Sequence, residues 1–458
     1  MFPEAFKNRI TTQEYIDTES LLKALEEPTP VSIRINPSKW NKKPLNGEQV
    51  PWCENGYYLP SRPSYTLDPL FHSGCYYPQE ASSMFLEQVV LQTAGTLENI
   101  RVLDLCGAPG GKSTHLSDLI GPGSLLIAND VIRTRSVILA ETITKCGAGN
   151  TLVTQSDPVI FGRLSGYFDI ILVDAPCSGE GMFRTEVAIK EWSVENTGHC
   201  AERQKRILMD IWPALKENGL LIYSTCTFNP DENEENLKWL ISKHEAECIR
   251  LDITDFKGIT EIEYQGIYGY GFYPGKVRGE GFFISVIRKT GRQKMVKVSS
   301  HGKSELKPVK SDYIAVARSS DFSEESILKW GDELISVPCG MEEYVYLFHN
   351  LNIIKGGTRL FLVKKNDYLP AHDMALSKCL RKDAFPVAQM DLSGAIAYMR
   401  RDNFSVDNSS KGWMLLTYKD VNLGFIKNLG NRINNYFPVE WRIRMESSES
   451  GIESIIKW

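Results

Sequence analysis

Five short apolar runs recur at helix-length intervals through the middle of the chain: RVLDL (101–105), SLLIAND (124–130), TLVTQSD (151–157), FDIILVD (168–174) and GLLIYST (219–225). Their apolar positions are nearly continuous, the pattern of strands buried on both faces. The spacers are long enough for helices. Strands alternating with helices in this way predict a parallel sheet covered on both faces, a Rossmann-like α/β core. GEGFFISVIRK (279–289) reads as the last strand of that domain.

The flanks are patterned differently. Residues 1–95 mix short helical patterns with proline-rich turns, an α+β unit, and Val31–Pro37 alternates like a strand with Arg34 on its polar side. Residues 291–310 are polar, with six Lys or Arg against one Glu, and read as a basic tether able to touch phosphates. Beyond it, YVYLF (344–348), TRLFLV (358–363), GWMLLTY (412–418) and LGFI (423–426) read as strands of a mostly β module. The expected division is 1–95, a catalytic domain 96–290, a linker 291–320 and a carboxyl region 321–458 whose last part, from about 386, is the β module. There is no internal repeat.

Composition narrows the function classes. The apolar share of 42% and charged share of 24% are those of an ordinary soluble protein, and no apolar run approaches a membrane span. The start, MFPEAFKNRITTQEY, carries acids early and does not read as a signal peptide. Ten cysteines without a C-x-x-C pair predict neither a zinc site nor a disulfide framework, and reduced thiols in a cytoplasm are expected. The net charge of −5 gives no global nucleic-acid signature, although residues 296–458 carry +2 and the rest −7.

The chemistry gathers at strand ends, where open α/β sheets place their sites. Asp104-Leu105-Cys106-Gly107-Ala108-Pro109-Gly110-Gly111-Lys112-Ser113 follows a strand and opens a helix. Its glycines admit close approach of a ligand to the backbone, and the helix start offers free amides. Cys106 occupies the first glycine position of the phosphate-loop pattern, and the dinucleotide pattern fails too. A loop of this size suits a small carboxylate such as the methionine end of S-adenosylmethionine. Asp130 follows at the distance of a ribose-binding acid, and Asp157, ending the next run, could take the adenine amino group. Either acid could instead cap a helix.

Cys177, in DAPCSG, and Cys226, in STCTF, each stand just past a buried strand. Cys53, Cys75, Cys146, Cys200, Cys248, Cys339 and Cys379 read as ordinary core thiols. Two thiols at two strand ends, with Asp174 near one, fit activation of a cytosine. Its carbon 5 is a poor nucleophile until a thiolate adds to carbon 6. A carboxyl group must hold ring nitrogen 3 as charge builds there, and a second group must assist release. This chemistry alone does not say which cysteine attacks.

In order, DLCGAPGGKSTHL, LIAND, TQSDP, VDAPCSGEGMFR and YSTCTFNPDENEEN resemble the NOL1/NOP2/Sun family of RNA cytosine-5 methyltransferases. SIRINPSK, HSGCYYPQEASSMFLEQ and GEGFFISVIRK extend the resemblance over residues 30–290. YLPAHDMALS (368–377) and KGWMLLTYKDVNLGFIKNLGNRINNYFPVEWRIR (411–444) are similar to the PUA-like end of its bacterial RsmF/YebU-like branch. The resemblance implies S-adenosylmethionine as cofactor, held by Cys106 to Lys112, Asp130, Asp157 and Asp174. It implies Cys226 as the attacking thiol, Cys177 in product release, and Asp174 facing the base. Lys112 would contact cofactor or base. It also implies a monomer acting on small-subunit (16S) ribosomal RNA or the 30S subunit. Transfer RNA by the same chemistry is an alternative, and a non-catalytic ribosome-assembly factor would have lost Cys226, Asp174 or the loop. Two departures stand out: Gly107 where the family usually has Ala, expected to loosen the loop, and Gly275 where a His is common.

Overall fold

The computed structural model describes residues 2–298, 307–308, 326–365, 367–406, 410–446 and 449–458. Most of the basic segment 291–320 therefore lies outside the described residues. Its first part lies against the core, with Val296 N donating to the Ser165 carbonyl at 2.7 Å.

The amino-terminal unit carries β1 (Val31–Ile35), β2 (Glu48–Gln49), β3 (Gly56–Leu59) and β4 (Tyr76–Pro78), an antiparallel sheet in the order β2-β3-β1-β4. The sequence reading put Arg34 on the polar face of β1. It is 3% exposed. Its guanidinium is taken up by Gln79, by Asp118 at 2.7 Å and by Thr114 at 2.7 Å. Asp118 and Thr114 belong to the Gly111–Leu119 helix, so this buried arginine locks the unit onto the next domain. A charge this deep is tolerated only because it is paired and hydrogen-bonded.

The core strands are β5 (Arg101–Asp104), β6 (Leu125–Asn129), β7 (Thr151–Thr154), β8 (Phe168–Asp174) and β9 (Leu215–Thr225), followed by β10 (Ala246–Cys248), β11 (Thr260–Tyr264), β12 (Ile267–Phe272) and β13 (Phe282–Lys289). The expected parallel sheet is present: β7-β6-β5-β8-β9 run parallel, with helices on both faces. β13 closes it antiparallel to β9, and the hairpin β11–β12 extends the sheet beyond β13. Chain order reverses at β5, whose neighbours are β6 and β8. That switch point opens a crevice at the carboxyl ends. Two apolar layers, around Leu103, Ile127 and Ile171 and around Val102, Leu126 and Ile170, fill the two faces.

After the core come β14 (Lys307–Pro308), β15 (Ile327–Trp330), β16 (Glu333–Ser336), β17 (Ile353–Lys355), β18 (Thr358–Lys364) and β19 (Asp367–Pro370). The terminal sheet has β20 (Val387–Met390), β21 (Gly412–Tyr418), β22 (Val421–Asn428) and β23 (Ile433–Asn435). The run YVYLF is a helix, Met341–Asn350, not a strand. Tyr344, Leu347 and Leu351 are buried at helical spacing against the catalytic core, and Glu342 and Glu343 sit in the first turn, where acids favour a helix start. β17 does not join the carboxyl module. It pairs with β7 and becomes an edge of the central sheet.

Candidate functional site

The site grows from adjacent strand ends. β8 and β9 are in register with Asp174 opposite Ser224, and the Ser224 hydroxyl donates to Asp174 Oδ1 at 2.7 Å. The other carboxylate oxygen takes the Lys112 ammonium at 2.9 Å. Burial alone would pull the Lys112 ammonium down, but Asp174 and Asp104 outweigh it and hold it above its ordinary value. Lys112 therefore orients Asp174 and lies behind it, over the Phe282 ring. It does not line the cavity.

Three residues beyond Asp174 and one beyond Thr225, the two thiols meet. Cys177 Sγ is 3.0 Å from Cys226 Sγ, and Cys226 N donates to Cys177 Sγ at 3.3 Å. The neighbouring Cys226 sulfur and burial push the Cys177 thiol well above the usual range, so it holds its proton. Both thiols line a cavity of about 760 Å³ together with Asp174, Cys106, Asp130 and Asp157. The strand-end acids and cysteines singled out in the sequence thus share one space.

Of the glycine-rich loop, Cys106 lines this cavity, whereas Gly107 to Lys112 are not among its lining residues. Gly107 N donates to the Asn129 carbonyl at 2.7 Å, and Gly110, at φ +119°, starts the Gly111–Leu119 helix without a capping side chain. A Cβ at Gly107 would come 2.6 Å from Ser113 Oγ, so glycine here permits tight closure of the loop rather than loosening it. Ser113 donates to Asp104 Oδ2 at 2.6 Å, whereas Oδ1 is buried without a partner among the described residues. Burial raises the Asp104 carboxyl to about 7 despite Ser113. Asp104, the last residue of β5, opens the motif quoted from the sequence, which gave it no role of its own.

Asp157 has the helix-cap role weighed for it and Asp130 does not, since Ile132 stands at the N-cap of the next helix; both acids line the cavity. Asp130 accepts from Ile132 N at 2.9 Å and lies 3.4 Å from the Arg135 guanidinium. Asp157 caps the Pro158–Gly162 helix through Val159 N at 3.1 Å. Arg203, Arg206 and Asp210 of the Val194–Ile211 helix, which lie outside the sequence motifs, also line the cavity, with Met182 and Val187. The run ERQKR at 202–206 was the available signal.

A second cluster joins Cys53, Glu87 and His115, whose ligand atoms lie within 4.8 Å of one another. Cys53 Sγ donates to Glu87 at 3.2 Å and His115 Nε2 meets the same oxygen at 3.0 Å. Cys53 is 1% exposed and lines no part of the cavity, so a base cannot reach it.

Comparison with known proteins resolves what this arrangement is. Residues 92–288 match the family described as 16S rRNA methyltransferase RsmB/F, residues 2–81 the N-terminal domain of 16S rRNA methyltransferase RsmF, and residues 385–443 the RsmF PUA domain. The ribosomal RNA small subunit methyltransferase F of Klebsiella pneumoniae (strain 342) is 30% identical, with 96% of each chain covered. The chain belongs to the RsmF/YebU-like family of 16S rRNA cytosine-5 methyltransferases. It is an enzyme, an RNA cytosine-5 methyltransferase of the NOL1/NOP2/Sun superfamily. The RsmF relative of Escherichia coli O127:H6 is 29% identical over 96% of both chains. A methyltransferase homologue from Pyrococcus horikoshii covers 63% of this chain and 95% of its own, at 28% identity and a TM-score of 0.53. NSun6 from the same organism, at 21% identity and TM-score 0.53, shares the fold over 63% of this chain.

The RsmF-family core is a Rossmann-like S-adenosylmethionine-dependent methyltransferase fold, which implies use of that cofactor. The residues present fit it. The uncapped helix start suits a carboxylate, Asp104 Oδ1 is a spare buried acceptor on the strand before the loop, and Cys106, Asp130 and Asp157 line the crevice.

Proposed function

We propose that this enzyme methylates carbon 5 of a cytosine in small-subunit ribosomal RNA through a covalent bond between Cys226 and carbon 6 of the base. The observation that carries the reading is the contact of two thiols, 3.0 Å apart, in the cavity that also holds Asp174 and Asp130. The base swings out of its helix to enter this space. The bound cofactor supplies an electrophilic methyl group.

Cys226 Sγ, as thiolate, adds to carbon 6 and moves electron density to carbon 5 and nitrogen 3. Nitrogen 3 takes up a proton from solvent as the thiolate adds, and Asp174, fixed by Lys112 and Ser224, presents its carboxylate to the nitrogen edge to hold that proton. Once carbon 5 carries the methyl group, its proton passes to solvent water, the electron pair of that C–H bond re-forms the carbon 5–carbon 6 double bond and expels the Cys226 thiolate, and nitrogen 3 gives back the proton it took up. Cys177, protonated and touching Cys226, is placed to return a proton to that sulfur. The ribosomal substrate is supported by relatives that span 96% of the chain and are named for the small-subunit RNA. The match of all three RsmF units points the same way.

The test is the trapped intermediate. Cys177→Ala incubated with cofactor and 16S RNA accumulates a protein–RNA adduct stable to denaturing gels, whereas Cys226→Ala gives none. The reverse pattern would exchange the two roles.

A further inference from the structure

Glu232 lies in the run Asn229-Pro230-Asp231-Glu232 just past the Cys226 turn and is 0% exposed. Its carboxylate accepts from Ser178 N at 2.9 Å, Ser178 Oγ at 2.5 Å, Gln204 Nε2 at 3.0 Å and Asn229 Nδ2 at 3.3 Å. No cation pairs with it among the described residues, so these donors alone satisfy the buried group. Such a group is costly to leave unmet, and its partners are correspondingly fixed.

Those partners bracket the two thiols. Ser178 follows Cys177, and Gln204 Nε2, already bonded to Glu232, also donates to the Pro176 carbonyl at 3.0 Å on the other side of Cys177. The Ser178 hydroxyl proton goes to Glu232. The remaining contact, Thr227 Oγ1 to Ser178 Oγ at 2.9 Å, therefore has Thr227 as donor. Thr227 follows Cys226. One relay, Thr227 to Ser178 to Glu232, thus ties the turn carrying Cys226 to the turn carrying Cys177. The backbone around Glu232 is itself pinned by the Tyr223 hydroxyl, which donates to its carbonyl at 2.6 Å.

We infer that Glu232 is the positioning residue that holds the Cys177 and Cys226 thiols in contact, acting through Ser178, Gln204 and Thr227. The inference deepens the two-thiol reading above, but it can be tested without it. In the full-length protein, diamide drives the two thiols to a disulfide: they lose two protons and two electrons to the N=N bond, which becomes a hydrazine. The rate, followed by mass mapping under non-reducing conditions, reports thiol contact and needs neither RNA nor cofactor.

Glu232→Gln leaves an isosteric group with one acceptor oxygen fewer. It slows disulfide closure and lowers kcat by about ten-fold or more, the equivalent of losing one charge-assisted hydrogen bond. KM for RNA and Kd for S-adenosylmethionine stay within about two-fold, and kcat is referred to the cofactor-binding fraction counted by calorimetry, so that a loss of folded protein is not read as a loss of rate. Ser178→Ala, which keeps the carboxylate and removes the relay, slows closure by about five-fold and decides the matter if Glu232→Gln does not fold. Closure at the parental rate in the folded variants overturns the inference, whatever kcat does. Methylation surviving in Cys226→Ser would overturn the proposed nucleophile, while the closure rate would still decide the role of Glu232.

Discussion

Cys177 and Cys226, separated by 49 residues in the chain, place their sulfur atoms 3.0 Å apart. The Cys226 sulfur and burial together raise the Cys177 thiol well above its ordinary value. A thiol with a raised pKa is a poor nucleophile at neutral pH and improves as the pH rises. Iodoacetamide at pH 7.5 is therefore expected to alkylate Cys177 slowly, with a rate that climbs through pH 10 without levelling near the ordinary thiol value. Peptide mass mapping over a pH series checks this. A Cys177 rate that levels off below pH 9 would contradict the environment described for it.

Asp130 and Asp157 divide their oxygens between local backbone amides and the cavity. If the cavity side holds the ribose and adenine of the cofactor, each Asp→Ala variant weakens S-adenosylmethionine binding by about ten-fold or more, the value of a hydrogen bond to a charged group. Titration calorimetry measures it directly. For Asp157, a helix cap alone would instead lower stability by about 1 kcal/mol and leave the affinity unchanged.

The catalytic domain was largely legible in the sequence, and the reason is physical. Parallel strands buried on both faces need nearly continuous apolar runs, and strand ends carry the chemistry, so Asp130, Asp157, Asp174, Cys177 and Cys226 could be placed in advance. What could not be read depended on partners distant in the chain. Arg34 looks like the polar face of an alternating strand until Asp118 and Thr114 are brought to it. Tyr344–Phe348 is too short an apolar run to distinguish helix from strand by period, and its burial against the core decided for helix. Glu232, in an acidic run, resembles solvated surface until Ser178 and Gln204 close over it.

His372, in the YLPAHDMALS segment, is half-buried, with both ring nitrogens shielded from solvent and neither hydrogen-bonded among the described residues, its ring packed edge-on against Phe437 and Trp441. Desolvation lowers its pKa from 6.5 to about 3. Between those values the unfolded chain binds a proton that the folded chain refuses, so folding stability falls as the pH drops below 6.5. His372→Leu removes this term. Its melting temperature is expected to change less between pH 7 and pH 4.5 than that of the parent, as followed by circular dichroism. Parallel curves would show that the imidazole finds a partner when charged.

The edge that β17 adds to the central sheet reaches the cofactor side of the site. Asn352, just before β17, accepts from Gln155 N through its carbonyl at 2.9 Å, and its own N donates to Ser156 Oγ at 3.1 Å. Its side-chain amide donates to Gln155 Oε1 at 3.1 Å. Gln155 and Ser156 immediately precede Asp157, so a segment from the carboxyl region braces the turn that presents this acid. Removing residues 321–458 is therefore expected to weaken S-adenosylmethionine binding as well as RNA binding, because the brace and the apolar cover supplied by Tyr344 and Leu347 leave together. Asn352→Ala isolates the local part. It keeps the fold and loses the side-chain bonds to Gln155, and should raise Kd for the cofactor by about five-fold, the value of one neutral hydrogen bond. Calorimetry on both proteins separates the outcomes. Cofactor affinity equal to the parent's in the truncated chain would mean that the Asp157 turn holds its shape unaided, and that β17 serves the carboxyl region alone.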